Sequence, residues 1–267
     1  MYAIYPSVVM EPSRSGPDGS TLAYRLRPAP ATSPASGSAP AAGAAGPAPP
    51  ASIAAVFELC DGGSLGSALT ARTFPWPDPR AGGNRAVVDM RAVYLVLLDV
   101  ALALRHLHAN GLVHRDLKPA NLLLRSSPRD PRGFTVKLAD FGFVMRLSEA
   151  AEDGTRYGVA DQACGTVTHM APEALVAKAK ISAAADVYSF GILMWELFAG
   201  GVRPYPHLRP DKIPANVYRG ARPAFGEGVP LMYRSLAASC WAADPRRRPK
   251  ASDLVNTVNA QLQALEA

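Results

Sequence analysis

A chain of 267 residues, 48% hydrophobic and 19% charged, has the material for a real core and the balance of a folded domain of one or two lobes. Its formal charge of +6 comes from scattered basic residues, with one tight run at Arg246-Arg247-Arg248, so a nucleic-acid-binding surface is not expected. Cys60, Cys164 and Cys240 lie far apart and fit neither a disulfide framework nor a metal site; with no secretory pattern at the start, and a longest apolar stretch (92–104) that is short and carries Asp99, the expectation is an intracellular, cytoplasmic chain without a membrane span.

Residues 2–10 are apolar, with aromatic and β-branched members, and predict one strand. A polar stretch follows. Every residue from 28 to 52 is Ala, Pro, Gly, Ser or Thr, a composition that cannot bury enough surface to offset its ordering entropy, so a disordered insert is expected. No arginine-flanked Pro-x-x-Pro core supports a proline-rich ligand there.

Strand character resumes over 53–59 and breaks at Asp61-Gly62-Gly63. A short helix is predicted over 64–70, then a Pro/Gly-rich loop over 74–84. Residues 87–109 are apolar on nearly every face, which predicts a helix buried within a helical domain and stopped at Gly111. Two short strands, 122–124 and 135–138, flank a turn-rich loop at 126–133 and would hold the segments beside them together. Further helices are predicted over 183–198, 211–219, 230–241 and 252–265, the last with Leu254, Val258, Leu262 and Leu265 on one face and Ser252 as N-cap.

Between these elements lie the residues that carry chemistry. His114-Arg115-Asp116-Leu117-Lys118-Pro119-Ala120-Asn121 places a candidate base, a cation and a neutral oxygen ligand within eight positions. Asp140-Phe141-Gly142 adds a carboxylate, and Ala171-Pro172-Glu173 closes the segment after it. Three such motifs, in this order and with these gaps, point to transfer of a nucleotide phosphate to a hydroxyl.

From residue 53 to 265 the chain resembles a eukaryotic protein kinase catalytic domain, closest to the tyrosine-kinase-like group of serine/threonine kinases. The resemblance rests on 114–121, 140–142, 165–173 and 186–197, with Cys240-Trp241 through Arg248-Pro249 matching the closing motif. It implies an α+β fold of two lobes, here with an incomplete β-rich small lobe and a mostly complete α-helical large lobe. It also implies ATP and Mg²⁺ as cofactors and a protein serine or threonine hydroxyl as acceptor.

The resemblance gives Asp116 the substrate proton, Lys118 the γ-phosphate, and Asn121 and Asp140 the metal. Adenine would lie against Glu58 and Cys60, with Phe57 guarding the back of the pocket, Leu123 beneath the base and Ser64 near the ribose. Asp186 would receive backbone amides of the loop, Glu173 would pair with Arg248, and His114 would stack with Phe141. Arg115 would dock a phosphate on the segment 143–168, where Ser148, Thr155, Tyr157 and Thr168 are equally open; Thr166 would help select a hydroxyl substrate.

One departure stands out. No Gly-x-Gly-x-x-Gly precedes Ile53 and no lysine precedes Lys118, so the phosphate-covering loop, the strand lysine and its helix glutamate are missing. The expectation is an N-terminally truncated kinase domain (53–267) behind a strand remnant and insert (1–52), with weak phosphotransfer. The alternative is a pseudokinase-like scaffold that binds other proteins.

Overall fold

The structure, a computed structural model, describes residues 3–15, 21–28, 52–75 and 88–266, with side chains from residue 57 onward. It divides into two compact units, Met1–Leu59 and Cys60–Ala267. The predicted insert, apart from its two end residues, and most of the loop at 74–84 lie outside the described residues.

In the first unit β1 (Ala3–Ser15), β2 (Thr21–Pro28) and β3 (Ser52–Val56) form one antiparallel sheet in the order β2-β1-β3. The reading of 2–10 as a strand holds, but the strand runs on to Ser15 and pairs with a second, Met10 opposite Leu26 and Ser15 opposite Thr21. The polar stretch is therefore a hairpin. Its sequence alternates, Leu22, Tyr24 and Leu26 against Ala23, Arg25 and Arg27, as a strand with two unlike faces requires.

The second unit is mostly helical. α1 (Leu65–Thr70) starts at Ser64, whose side chain caps the Ser67 N–H. α2 (Met90–Ala109) starts at Asp89, which caps Ala92, and ends where Gly111 takes φ +68°. Between α2 and the next helix run β4 (Leu112–Val113), β5 (Leu122–Ser126), β6 (Phe134–Leu138), β7 (Met145–Arg146), β8 (Glu149–Ala150), β9 (Arg156–Ala160) and β10 (Ala179–Ser182). Then come α3 (Ala184–Glu196), α4 (Ile213–Tyr218), α5 (Leu231–Cys240) and α6 (Ala251–Glu266).

At 20 residues, α2 is long and apolar enough to cross a membrane by length and composition. Its apolar face is spent inside the fold instead: Val93, Leu97, Val100 and Leu104 are buried against the core that α6 joins through Leu254 and Val258. Each such side chain contributes about 1.5–3 kcal/mol of burial. Asp99 on the same helix accepts from Arg132 (2.8 Å) and from the Val136 N–H (3.0 Å), and this ties the β5–β6 hairpin to α2.

Within α3 every residue from Ala185 to Met194 is buried, as a helix apolar on all sides demands. α5 packs on it through Tyr233, whose hydroxyl donates to the Met194 carbonyl at 2.8 Å. Ser252 is not the cap of α6. The helix begins one residue earlier, and Asp253, inside its first turn, reaches back to accept the Lys250 N–H at 3.0 Å; a carboxylate there also suits the positive helix end. Leu254 and Val258 of the predicted stripe are buried, whereas Leu265 is exposed where the helix leaves the core.

Candidate active site

α2 delivers the chain to the site. Past Gly111, β4 pairs with β7, Val113 opposite Met145, so residue 114 enters from a fixed direction. There the fully buried Asp186, in the first turn of α3, accepts the His114 and Arg115 N–H groups, each at 2.8 Å, and His108 Nε2 at 2.9 Å. A carboxylate holding two backbone amides fixes a loop that has no ladder of its own. Under this hold Arg115 takes φ 71°, a conformation that costs a side-chain-bearing residue about 1–3 kcal/mol. His114 is gripped from both sides: Nε2 donates to the Ala139 carbonyl (3.0 Å) and Nδ1 accepts the Asp116 N–H (3.3 Å).

Asp116 is almost completely buried and has four donors. Oδ2 accepts from Lys118 Nζ (2.7 Å) and Asn121 Nδ2 (2.9 Å). Oδ1 accepts from the Thr166 N–H (2.9 Å) and the Thr166 hydroxyl (2.7 Å). Lys118 also reaches Thr166 Oγ1 at 2.7 Å, closing a triangle. Burial by itself would raise the Asp116 carboxyl; the bonds from Lys118 and Thr166, the Lys118 charge and the Asn121 amide outweigh it and hold the carboxyl below its ordinary value.

Gly165 makes the Thr166 approach possible. It adopts φ +105°, and a Cβ there would stand 2.4 Å from the Arg115 carbonyl oxygen. Asn121 spends its second amide bond on the Asp116 carbonyl (2.9 Å), so both of these bonds use its amide nitrogen and neither uses its side-chain oxygen.

The hairpin brings the second motif alongside. Leu122 pairs with Leu138, and the Ala139 N–H donates to the Asn121 carbonyl at 2.9 Å, so Asp140 follows directly beside Asn121. Asp140 has φ 61°, and among the described residues its exposed carboxylate accepts only the Gly142 N–H, at 3.3 Å. Phe141 meets His114 edge to face with centroids 5.4 Å apart, half exposed itself. Two oxygen donors, one charged and one neutral, suit a hard cation that keeps other oxygen ligands. Among the described residues no three of His, Cys, Asp and Glu gather into a site of their own.

On the predicted nucleotide side, the segment after Cys60 is clamped to β5. The Gly62 N–H donates to the Leu124 carbonyl (2.9 Å), the Leu124 N–H to the Gly63 carbonyl (2.8 Å), and Ser64 forms a bridge with Leu123. Ser64 and Leu123 are thus neighbours, although the Ser64 hydroxyl is already engaged as the cap of α1. Cys60 is half-buried. The division of the chain falls inside the predicted hinge, and Glu58, half-buried, and Phe57, 56% exposed, belong to the first unit.

The pairing of Glu173 with Arg248 that the resemblance implied is present. Arg248 grips Glu173 through both guanidinium nitrogens, at 2.6 and 2.9 Å, and its side chain is fully buried. Arg115, expected to receive a phosphate, faces two sulfurs, Met145 Sδ at 3.8 Å and Cys164 Sγ. The segment 143–168, readable only as a loop, contains β7, β8 and β9.

Sequence reasoning also missed a buried pair beneath the groove in front of Lys118. His169 Nε2 meets Glu196 Oε2 at 2.6 Å, while the His169 carbonyl accepts from Ser189 at 2.8 Å. That groove, about 700 Å³, is lined by Lys118, Thr166, Thr168, His169, Glu196 and Arg203 among others. Nothing in the local sequence marks His169 or Glu196, since their partnership spans two separate elements.

Comparison with known proteins places this arrangement. A family model for protein tyrosine and serine/threonine kinases matches residues 44–258. The serine/threonine-protein kinase STY17 of Arabidopsis thaliana is 34% identical over 177 residues, 66% of this chain and 28% of its own length. A probable LIM domain-containing serine/threonine-protein kinase of Dictyostelium discoideum is 32% identical over 167 residues, 62% of this chain and 23% of its own. The megakaryocyte-associated tyrosine-protein kinase of Mus musculus is 33% identical over 182 residues, 68% of this chain and 33% of its own. The chain therefore spans a third or less of the length of these relatives.

Proposed function

The chain belongs to the protein tyrosine and serine/threonine kinase family, with a catalytic domain of the tyrosine-kinase-like type, and from that premise we propose that it phosphorylates serine or threonine hydroxyls of protein substrates in the cytoplasm. The observation that carries the reading is the closed triangle of Asp116, Lys118 and Thr166 beside an open groove. Mg²⁺ and ATP, when bound, supply the phosphoryl group and neutralise its charge; Asn121 and Asp140 provide the oxygen donors suited to the metal.

Asp116 stays ionised at neutral pH because its partners hold it so. All four acceptor positions of its carboxylate are filled, two of them by Thr166. A substrate hydroxyl can reach it only by replacing one donor. The Thr166 hydroxyl is the natural one to yield: it is itself an alcohol, and Lys118 remains to hold its oxygen. Asp116 then orients the incoming oxygen and receives its proton, while Lys118 supplies a cation to the group in flight.

Transfer by this 267-residue chain is slow. It carries no lysine before Lys118 and no glycine-rich loop before Ile53, so ATP phosphates lack the side chains that align them, and misplacement costs steeply in rate. The same feature favours a second reading, a protein-binding scaffold of the kinase fold. Purified chain incubated with Mg²⁺, ATP and a generic protein substrate is expected to give slow phosphoserine and phosphothreonine formation, reduced about 10²–10⁴-fold in Asp116→Ala. Turnover indifferent to Asp116→Ala would sink the mechanism. Absence of both turnover and Mg²⁺-dependent nucleotide binding would select the scaffold.

A further inference from the structure

We propose that a cavity separate from the groove at Lys118 is a second anion site, which takes a small organic molecule bearing a phosphate monoester. The cavity measures about 750 Å³. Its wall combines the last turns of α2, the turn between β8 and β9, the start of α3 and the segment leading into α6. None of the residues lining it lines the groove at Lys118.

Its charge is one-sided. Arg105 and Lys250 are exposed, and neither side chain has a hydrogen bond or ion pair among the described residues. Arg156 donates to the Leu147 carbonyl at 2.6 Å and meets no carboxylate among the described residues. Arg246 shares Asp244 at 3.2 Å. Arg248 and His108 also reach the wall but are committed to Glu173 and Asp186. Against these stands one lining carboxylate, Asp153, which accepts the Thr155 N–H at 2.9 Å.

Like charges around a concave wall raise one another's energy and draw in a counter-charge, and the wall concentrates that field. Two guanidinium forks and one ammonium match a phosphate dianion in shape and in charge better than they match a single carboxylate. The volume exceeds what a bare phosphate fills and lies in the range of organic-ligand sites, about 300–1,000 Å³. The accessible apolar part of the wall, at Ala109, Pro245 and Pro249, suits the carbon part of the ligand.

The inference is separable from the kinase reading, because its test is binding and needs no turnover. Full-length chain is titrated with O-phospho-L-threonine and with inorganic phosphate at fixed ionic strength, by calorimetry. Saturable binding with a Kd of about 1 mM or below is expected for the ester. The double variant Arg105→Ala/Lys250→Ala should weaken it about tenfold or more, whereas Arg105→Lys/Lys250→Arg, which keeps both charges and guards against misfolding, should stay within about threefold. Lys118→Ala should leave the affinity unchanged. No saturation by about 10 mM ester, equal affinity in the charge-removing variant, or loss of binding in Lys118→Ala would each overturn the proposal.

Discussion

Asp116 and Asp140 stand at the two ends of one hairpin, joined through the contact between Asn121 and Ala139, and they live in opposite surroundings. Asp116 is buried, accepts four hydrogen bonds and is enclosed by a loop that Asp186 pins from behind. Asp140 is exposed, sits in a left-handed conformation and accepts one long bond from its own turn. The difference separates two ways of building a polar site. The first carboxylate is organised by the fold and contributes to it. The second is presented to solvent, where its charge costs little and its oxygens face outward.

The sharpest way to break that contrast is through Asp186. Asp186→Ala removes the acceptor of two backbone N–H groups and of His108 in a place water does not reach. The expected loss is about 3–5 kcal/mol, read as a melting temperature lower by roughly 10 °C. An unchanged melting point would mean that the loop holds itself and that Asp116 is not organised from behind.

Gly165→Ala tests the front of the same enclosure. The added methyl must avoid the Arg115 carbonyl, and the residue must keep φ near +105°. A cost of about 1–3 kcal/mol is expected, with Thr166 drawn away from Asp116 and any transfer reduced along with it. Wild-type stability with full Thr166 contact, visible in the amide resonance of residue 166, would remove glycine from the explanation.

A smaller effect appears on acidification. The Asp116 carboxyl is held below its ordinary value of 3.8, so its ionised form stabilises the folded chain. That contribution is fully present above the unfolded value and is lost as the pH falls through the folded one. The stability gap between the wild type and Asp116→Asn should be constant from pH 7 down to about 5 and then close below about 4. A gap that widens on acidification would reverse the sign of the shift.

Much of this was legible before any coordinates. The loop at 114–121 and its partner at 140–142 are marked by residue order, whereas the Asp186 anchor and the Glu173–Arg248 pair were implied by the resemblance to protein kinases. Two helices, expected over 87–109 and 183–198, were visible from their largely apolar sequence, and the strands expected over 122–124 and 135–138 from the turn residues between them. What escaped were contacts between distant segments whose side chains bear no local sign. His108 reaching Asp186, Glu196 reaching His169 and Arg132 reaching Asp99 are decided by tertiary packing. β2 was hidden because Arg25 and Arg27 dilute the apolar signal of its sequence. Ser252 was misread as a cap because Asp253, one residue on, competes for the same helix end and is charged.

The smallest expected effect carries the other half of the comparison. Asp140→Asn removes the charge and keeps the carbonyl oxygen that accepts the Gly142 N–H; asparagine also tolerates the left-handed conformation that alanine would resist. Because the side chain is exposed and makes no ion pair among the described residues, stability should stay within about 0.5 kcal/mol of wild type. Mg²⁺-dependent nucleotide binding, if the carboxylate serves as a metal donor, should nonetheless fall to the level seen without the metal, since a neutral amide oxygen is a poor substitute for an anion at a divalent cation. A variant that melts early and binds nucleotide normally would invert the assignment: Asp140 would then be a structural residue, and the distinction between a carboxylate built into the fold and one offered to a ligand would fail at the residue that defines it.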